Sequence, residues 1–96
     1  MKFLNLIKIT DLTKKLKKVD NKFGDFNFSP NDVNNKLFFS HNNIKYVYTL
    51  LNLFKDIEND EFYVLKEVYH LITVFLDALK ETSKIKIVKE FSINEV

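Results

Sequence analysis

The sequence predicts an α+β domain that is mostly helical, with about four helices and short strands at the two termini. Two patterns predict this fold. Apolar residues recur three and four positions apart through most of the chain, as in helices with one buried face. The two ends instead resemble strands: residues 84–91 alternate, and residues 2–9 are β-permissive or aliphatic with Asn5 and Lys8 interspersed. A chain of 96 residues with 46% hydrophobic content can bury a core, and we expect one domain over residues 1–96.

The amino-terminal quarter predicts a strand and then a helix. Over residues 2–9, Phe3, Asn5, Ile7 and Ile9 would share one face of a strand, and a helix is the close alternative. After a cap at Thr10 or Asp11, a helix is expected through about Val19, with aliphatic side chains on one face and lysines on the other. Residues 26–28 then alternate as a short extended segment does.

Two helices joined by a tight polar turn are expected in the middle of the chain. Ser29 would cap the first helix and Pro30 suits its first position, so this helix should cover about residues 30–38. Residues 40–43 are Ser-His-Asn-Asn and are rich in turn-forming residues. A second apolar stripe then predicts a helix over about residues 43–57.

The longest and most periodic helix is expected over residues 60–82. Apolar side chains cover more than half of its circumference between Val68 and Leu76, which is typical of a helix in the core or one shared with a second subunit. A β-hairpin over residues 54–65, forming a small wing with its turn at residues 58–60, is the alternative for the start of this segment.

The carboxyl-terminal residues predict a last strand. Residues 84–91 alternate and are rich in β-branched side chains. This strand would pair with the amino-terminal strand in a small antiparallel sheet. Residues 94–96 are expected to fray.

Composition excludes several classes of protein. The chain has no cysteine, so disulfides and cysteine-based zinc sites are excluded and a reducing compartment is indicated. The amino terminus is a poor signal peptide, and the longest uncharged apolar stretch, residues 68–76, is too short to span a bilayer. We expect a soluble protein of the cytoplasm, or of the host cytoplasm if the protein is viral, with no membrane partner.

Positive charge is concentrated near the amino terminus. Seven lysines against Asp11 and Asp20 give residues 1–24 a charge of +5, whereas residues 25–83 carry −4. All fifteen basic residues are lysine, which neutralises phosphate but lacks the planar fork with which arginine reads guanine. The lysine run predicts either a solvated helix face or a patch that faces an anion.

Catalysis is not expected. His41 and His70 are the two histidines, and no nucleophile lies near either at the spacing of a known motif. Glu67 and His70 have the spacing of half a di-iron site, but no second copy exists. Residues 20–31 differ from a calcium-binding loop because they place a lysine at a ligand position and Asn31 where the bidentate glutamate belongs. We therefore expect no catalytic residue, cofactor or metal.

The middle of the chain resembles a helix-turn-helix unit of the kind found in winged-helix regulators such as the MarR and PadR families. The resemblance covers residues 11–57. Ser29 and Pro30 resemble the cap of the first helix of the motif, and residues 40–43 resemble the start of its recognition helix. The positions at which the motif packs apolar side chains are Val33, Leu37, Phe39, Ile44 and Val47.

This resemblance implies a non-catalytic regulator that binds double-stranded DNA as a homodimer. Asparagine can bond adenine bidentately, and lysine can contact phosphate. The recognition helix would present His41, Asn42, Asn43, Lys45, Tyr46 and Thr49 to the major groove. Further phosphate contacts would come from Lys14, Lys15, Lys17 and Lys18. The dimer interface would lie on the helix over residues 60–82 and would contain Val68, Ile72, Phe75, Leu76 and Leu79.

A second hypothesis belongs to another class of protein. The chain has more aromatic residues than one small core needs, and exposed aromatic side chains favour protein interfaces. Those expected at the surface are Phe38, Tyr46, Tyr48 and Tyr63. The alternative is therefore a small protein, encoded by a virus or mobile element, that binds and inhibits or bridges a larger host protein.

Overall fold

The computed structural model describes residues 5–29, 35–50, 53–80 and 91–96. About 47% of these residues lie in strands and 33% in helices, which defines a sheet-rich α+β fold with two antiparallel sheets. The prediction of a mostly helical domain with about four helices is therefore wrong, since the described residues contain two helices. In chain order the elements are β1 (Leu6–Lys8), α1 (Ile9–Val19), β2 (Phe23–Ser29), β3 (Asn35–His41), β4 (Ile44–Leu50), β5 (Phe54–Asp56), β6 (Glu61–Leu65), α2 (Glu67–Leu79) and β7 (Ile93–Glu95).

The strands form a large and a small sheet. The large sheet has the order β2-β3-β4-β7, the small sheet has the order β1-β6-β5, and every neighbouring pair is antiparallel. α1 leads from β1 of the small sheet to β2 of the large sheet. It packs against β2 and β6 and also contacts α2. This helix therefore joins the two sheets around one core.

Residues 35–50 form a β-hairpin where two helices were expected. The strands β3 and β4 pair in continuous register, and Asn42 and Asn43 make the turn with φ angles of 53° and 67°. Asparagine tolerates this left-handed geometry, which two-residue hairpin turns require. Aromatic and β-branched residues favour strands, so composition and turn together outweigh the helical spacing. The predicted helix-turn-helix core is wrong here, and residues 30–34 of its first helix lie outside the described residues.

The helix predicted over residues 60–82 is shorter and begins later. The first residues of the predicted segment belong to β6, which forms an antiparallel hairpin with β5. The observed helix, α2, follows β6. Asp56 stabilises the turn of this hairpin by accepting hydrogen bonds from the backbone N–H of Glu58 and the side-chain amide of Asn59. The hairpin over residues 54–65, which the sequence offered as the alternative, is present.

The predictions for the termini had mixed outcomes. The helix expected through Val19 is confirmed as α1, although it begins earlier, at Ile9. β1 lies within the strand predicted over residues 2–9, and it pairs with β6. The strand predicted over residues 84–91 falls almost wholly outside the described residues. The prediction that residues 94–96 fray is wrong, because Asn94 and Glu95 belong to β7, which pairs with β4, and the backbone N–H of Val96 donates to the carbonyl of Lys45 (2.8 Å).

The core lies between the helices and the sheets. α1 contributes Leu12 and Leu16, which are fully buried. α2 packs on the large sheet through Phe75, whose ring meets the ring of Tyr46 edge-on at 5.3 Å between centroids. Both helices thus bury one face inside this chain. Among the residues that the structure describes, no helix is long and apolar enough to cross a membrane.

Candidate functional site: a lysine face on α1 and a cleft beside α2

The exposed side of α1 carries four lysines. Leu12 and Leu16 lie four residues apart on one side of the helix, and both are fully buried. The opposite side is exposed along its length. Because the buried side fixes the rotation of the helix, the lysines of α1 must face solvent. We call this surface the lysine face, and it consists of Lys14, Lys15, Lys17 and Lys18.

The positive charge of the lysine face is not neutralised by the ion pairs of the described residues. Those ion pairs join Lys8 to Glu61, Lys55 to Asp60 and His41 to Asp20. Within the lysine face, the described contact is that of Lys15, whose Nζ lies 5.2 Å above the ring centre of Tyr69. This geometry places a cation over an aromatic face and orients the side chain without removing its charge.

The hairpin residues that were expected to contact DNA do not share one exposed face. Successive side chains of a strand point to opposite faces, so Lys45 and Thr49 of β4 lie on the face opposite to Tyr46. The Tyr46 side chain is buried, at 2% exposure. Asn42 and Asn43 are exposed at the turn, and His41 is partly buried at the end of β3. The structure therefore separates these six residues, whereas it groups the four lysines of α1.

The residues that were named for a dimer interface pack within one chain. Val68, Ile72, Phe75 and Leu76 are buried within one chain. On α2 the exposed large apolar side chains are those of Leu71, 41% exposed, and Val74, 51% exposed. A dimer through α2 would have to use this second face, because the first is already covered by the core. Leu79, the fifth predicted interface residue, is partly buried and packs against the core.

A second polar feature joins the end of α1 to the end of β3. The carboxylate of Asp20 accepts a hydrogen bond from the backbone N–H of Lys22 (2.9 Å) through Oδ1 and one from Nε2 of His41 (3.0 Å) through Oδ2. Both hydrogen bonds hold the pKa of Asp20 below its ordinary value, and the bond from Lys22 makes the larger contribution. The ring of His41 also contacts that of Phe23, with 4.8 Å between centroids. The imidazole is thereby fixed in position.

The fixed imidazole borders a cleft of about 290 Å³ between the hairpin turn and the end of α2. We call it the α2 cleft. Its floor contains buried side chains of the core, including Tyr46 and Leu76. Its upper walls and rim are formed by Asp20, Lys22, His41, Asn42, Ile44, Leu79 and Lys80.

The serine next to His41 lies outside the α2 cleft. Ser40 precedes His41 in β3 and therefore points to the opposite face of the sheet. Its hydroxyl donates a hydrogen bond to Asp25 (3.0 Å). In the described parts of the chain, no three histidine, aspartate or glutamate side chains come close enough together to hold a metal ion. Asp20 and His41 thus fix a polar ring on the face of the sheet opposite to Ser40.

Sequence reasoning missed this cleft. Asp20 and His41 are 21 residues apart, and they meet because β2 and β3 pair with Phe23 opposite His41. That register could not be seen while residues 30–38 were expected to be a helix. The sequence offered one signal, the position of Asp20 directly after α1. A carboxylate there can accept a hydrogen bond from the backbone that leads into the next strand.

Comparisons with known proteins gave no match: no protein-family model, no curated protein and no solved structure is significantly similar to this chain.

Proposed function

We propose that this protein is a non-catalytic nucleic-acid-binding protein that contacts the phosphate backbone of duplex DNA through the lysine face. The observation that carries the proposal is that four lysines share the exposed side of one helix while the described ion pairs neutralise none of them. Lysines of this kind supply affinity that does not depend on base sequence, because they release the counterions condensed on phosphates.

The dimensions of α1 suit this role. Lys14 and Lys18 are one turn apart, which places them about 6 Å from each other along the helix axis. An α-helix fits into or across the major groove, which is about 12 Å wide. The chain has no arginine, and therefore lacks the side chain that most often reads guanine. Binding should accordingly vary little with base sequence.

Fluorescence anisotropy with a labelled duplex of mixed sequence tests the proposal. The duplex is titrated with the protein at several salt concentrations. If all four lysines of the face contact phosphates, the logarithm of the binding constant should fall with the logarithm of salt concentration with a slope of about −3.6. The protein with all four replaced by glutamine should lose this binding. A protein that fails to bind at low salt, or a four-lysine variant that binds as well as the parent, would contradict the proposal.

The alternative of a protein that binds a larger partner rests on apolar side chains at the surface. Ile57, at the tip of the hairpin of β5 and β6, is 84% exposed, and α2 exposes Leu71 and Val74. Single apolar residues at a surface are common, and these three are not accompanied by the expected surface tyrosines, since Tyr46, Tyr48 and Tyr63 are buried. We therefore rank this alternative second. DNA affinity that is weak from the outset and hardly changes after the four lysine substitutions would favour it.

A further inference from the structure

The α2 cleft has the charge of an anion site. Lys22 and Lys80 both line it, and the ion pairs of the described residues use neither. Among the described residues that line it, the one carboxylate is that of Asp20, whose two oxygens accept from the backbone of Lys22 and from His41. The Lys22 ammonium also attracts the Asp20 carboxylate and contributes to its lowered pKa. Two lysines against one aspartate still leave the described lining with a net charge of +1, which favours an anion.

The apolar side chains in the walls of the cleft indicate that its ligand has an apolar part as well as an anionic group. Ile44 of β4 and Leu79 of α2 line it from two sides, and both side chains are partly exposed. The more deeply placed Tyr46 and Leu76 are buried. Covering the exposed parts of the walls with an apolar group is favourable, since that surface leaves water. The lysines and these walls together complement a molecule with a charged end and an apolar end.

The size and the polar groups of the cleft limit the ligand further. A volume of about 290 Å³ lies at the lower end of the range for small-molecule pockets. His41 donates through Nε2 to Asp20, which leaves Nδ1 as the ring nitrogen without an assigned partner. Asn42 adds an exposed amide at the rim. A ligand of one ring or one short chain fits these limits.

We propose that the α2 cleft binds a small organic anion with an apolar body, a carboxylate or phosphate monoester of one ring or one short chain. Lys22 and Lys80 hold the anionic group, and the apolar body packs against Ile44 and Leu79. The site shares no residue with the lysine face. It can therefore bind its ligand whether or not the protein binds nucleic acid.

Titration of the ¹⁵N-labelled protein with phenyl phosphate, followed by NMR, tests this site. Saturable shifts are expected at the amides of Lys22, Asn42, Ile44, Leu79 and Lys80. Inorganic phosphate lacks the apolar body and benzyl alcohol lacks the charge, so each should bind at least about tenfold more weakly. Hexanoate, titrated in the same way, decides between the two anions: tighter binding than phenyl phosphate assigns a carboxylate ligand, and weaker binding assigns a phosphate monoester.

Two sets of variants locate the binding. Lys22→Gln combined with Lys80→Gln should weaken binding of phenyl phosphate about tenfold. The control, Lys45→Gln with Lys66→Gln, removes the same charge outside the cleft and should leave the affinity unchanged. Leu79→Gln should also weaken binding, and the dispersion of the amide signals shows whether this variant is folded.

Three results would overturn the proposal. The first is that the amide signals shift without saturating as phenyl phosphate is added, or that the shifted signals belong to residues away from the cleft. The second is equal binding of phenyl phosphate and inorganic phosphate. The third is an equal loss of affinity in the two double-lysine variants, which would indicate attraction by overall charge.

Discussion

Replacing Asn43 by alanine should destabilise the protein, and the sign of this effect tests the hairpin directly. Asn43 has a φ angle of 67° and an exposed side chain, so the substitution removes little packing. The left-handed conformation costs an alanine residue about 1–2 kcal/mol, whereas asparagine tolerates it better. We therefore expect the free energy of unfolding to fall by about 1 kcal/mol. If Asn43 instead had the φ and ψ angles of a helix interior, alanine would raise it by about 0.5 kcal/mol.

Thermal unfolding followed by circular dichroism measures this difference. A change of 1 kcal/mol shifts the Tm of a domain of this size by about 4–8 °C, so Asn43→Ala should lower the Tm by that amount. Asn43→Gly should retain the Tm of the parent, because glycine adopts positive φ without steric cost. Asn21→Ala serves as the control, since Asn21 is exposed and its φ is not positive. Its effect should stay within about 0.5 kcal/mol.

An Asn43→Ala variant that unfolds at a higher temperature than the parent would refute the hairpin. So would an Asn43→Gly variant that loses as much stability as the alanine variant. In either case the backbone at Asn43 could not have the left-handed geometry from which the magnitude was derived.

The remaining predictions concern the Asp20 contact and the dimer. Because the hydrogen bonds from Lys22 and His41 lower the pKa of Asp20, its ionised form stabilises the fold above the ordinary value of about 3.9, and this contribution is lost as pH falls towards the lowered pKa. Asp20→Asn should therefore be less stable than the parent at pH 6, and this difference should shrink below about pH 4. Urea titrations at several pH values measure the difference, and a difference that is independent of pH would contradict the prediction. The homodimer through α2 stays a prediction, and its interface should contain Leu71 and Val74, so that aspartate at both positions gives a monomer in light scattering. A monomeric mass for the parent at tens of micromolar would remove the dimer.

The helix α1 could be predicted from the sequence because its two faces differ without ambiguity. Leu12 and Leu16 are four residues apart, and four of the other positions of the helix are lysines that lie away from this apolar side. No strand pattern fits this arrangement, since alternation would bury lysines. The same reasoning identified the lysine face, because the side opposite a buried stripe is exposed.

The hairpin of β3 and β4 could not be predicted from periodicity, because most of its residues are apolar or aromatic. Ile44, Val47 and Leu51 satisfy helical spacing, while Tyr46 and Tyr48 satisfy alternation equally well. The deciding signals were the aromatic and β-branched composition and the Asn-Asn pair at the turn. Giving these signals more weight than the apolar spacing would have identified the hairpin.

The α2 cleft depends on tertiary structure throughout. Asp20 and His41 meet through strand register, and Lys80 reaches the same place only because α2 packs on the large sheet. Apart from the position of Asp20 directly after α1, these relations have no local signature in the sequence. Sites of this kind follow from the fold, whereas the lysine face follows from a single helix.

The central claim, that the lysine face binds the phosphates of DNA, is tested most directly by the salt dependence of one pair of variants. Lys14→Gln with Lys18→Gln should reduce the magnitude of the salt slope by about 1.8 and weaken duplex binding about 60-fold at 0.1 M salt, because two phosphate contacts are lost. Lys45→Gln with Lys66→Gln removes the same charge elsewhere and should change the slope little. A similar change of slope in both variants, or in neither, would contradict the claim.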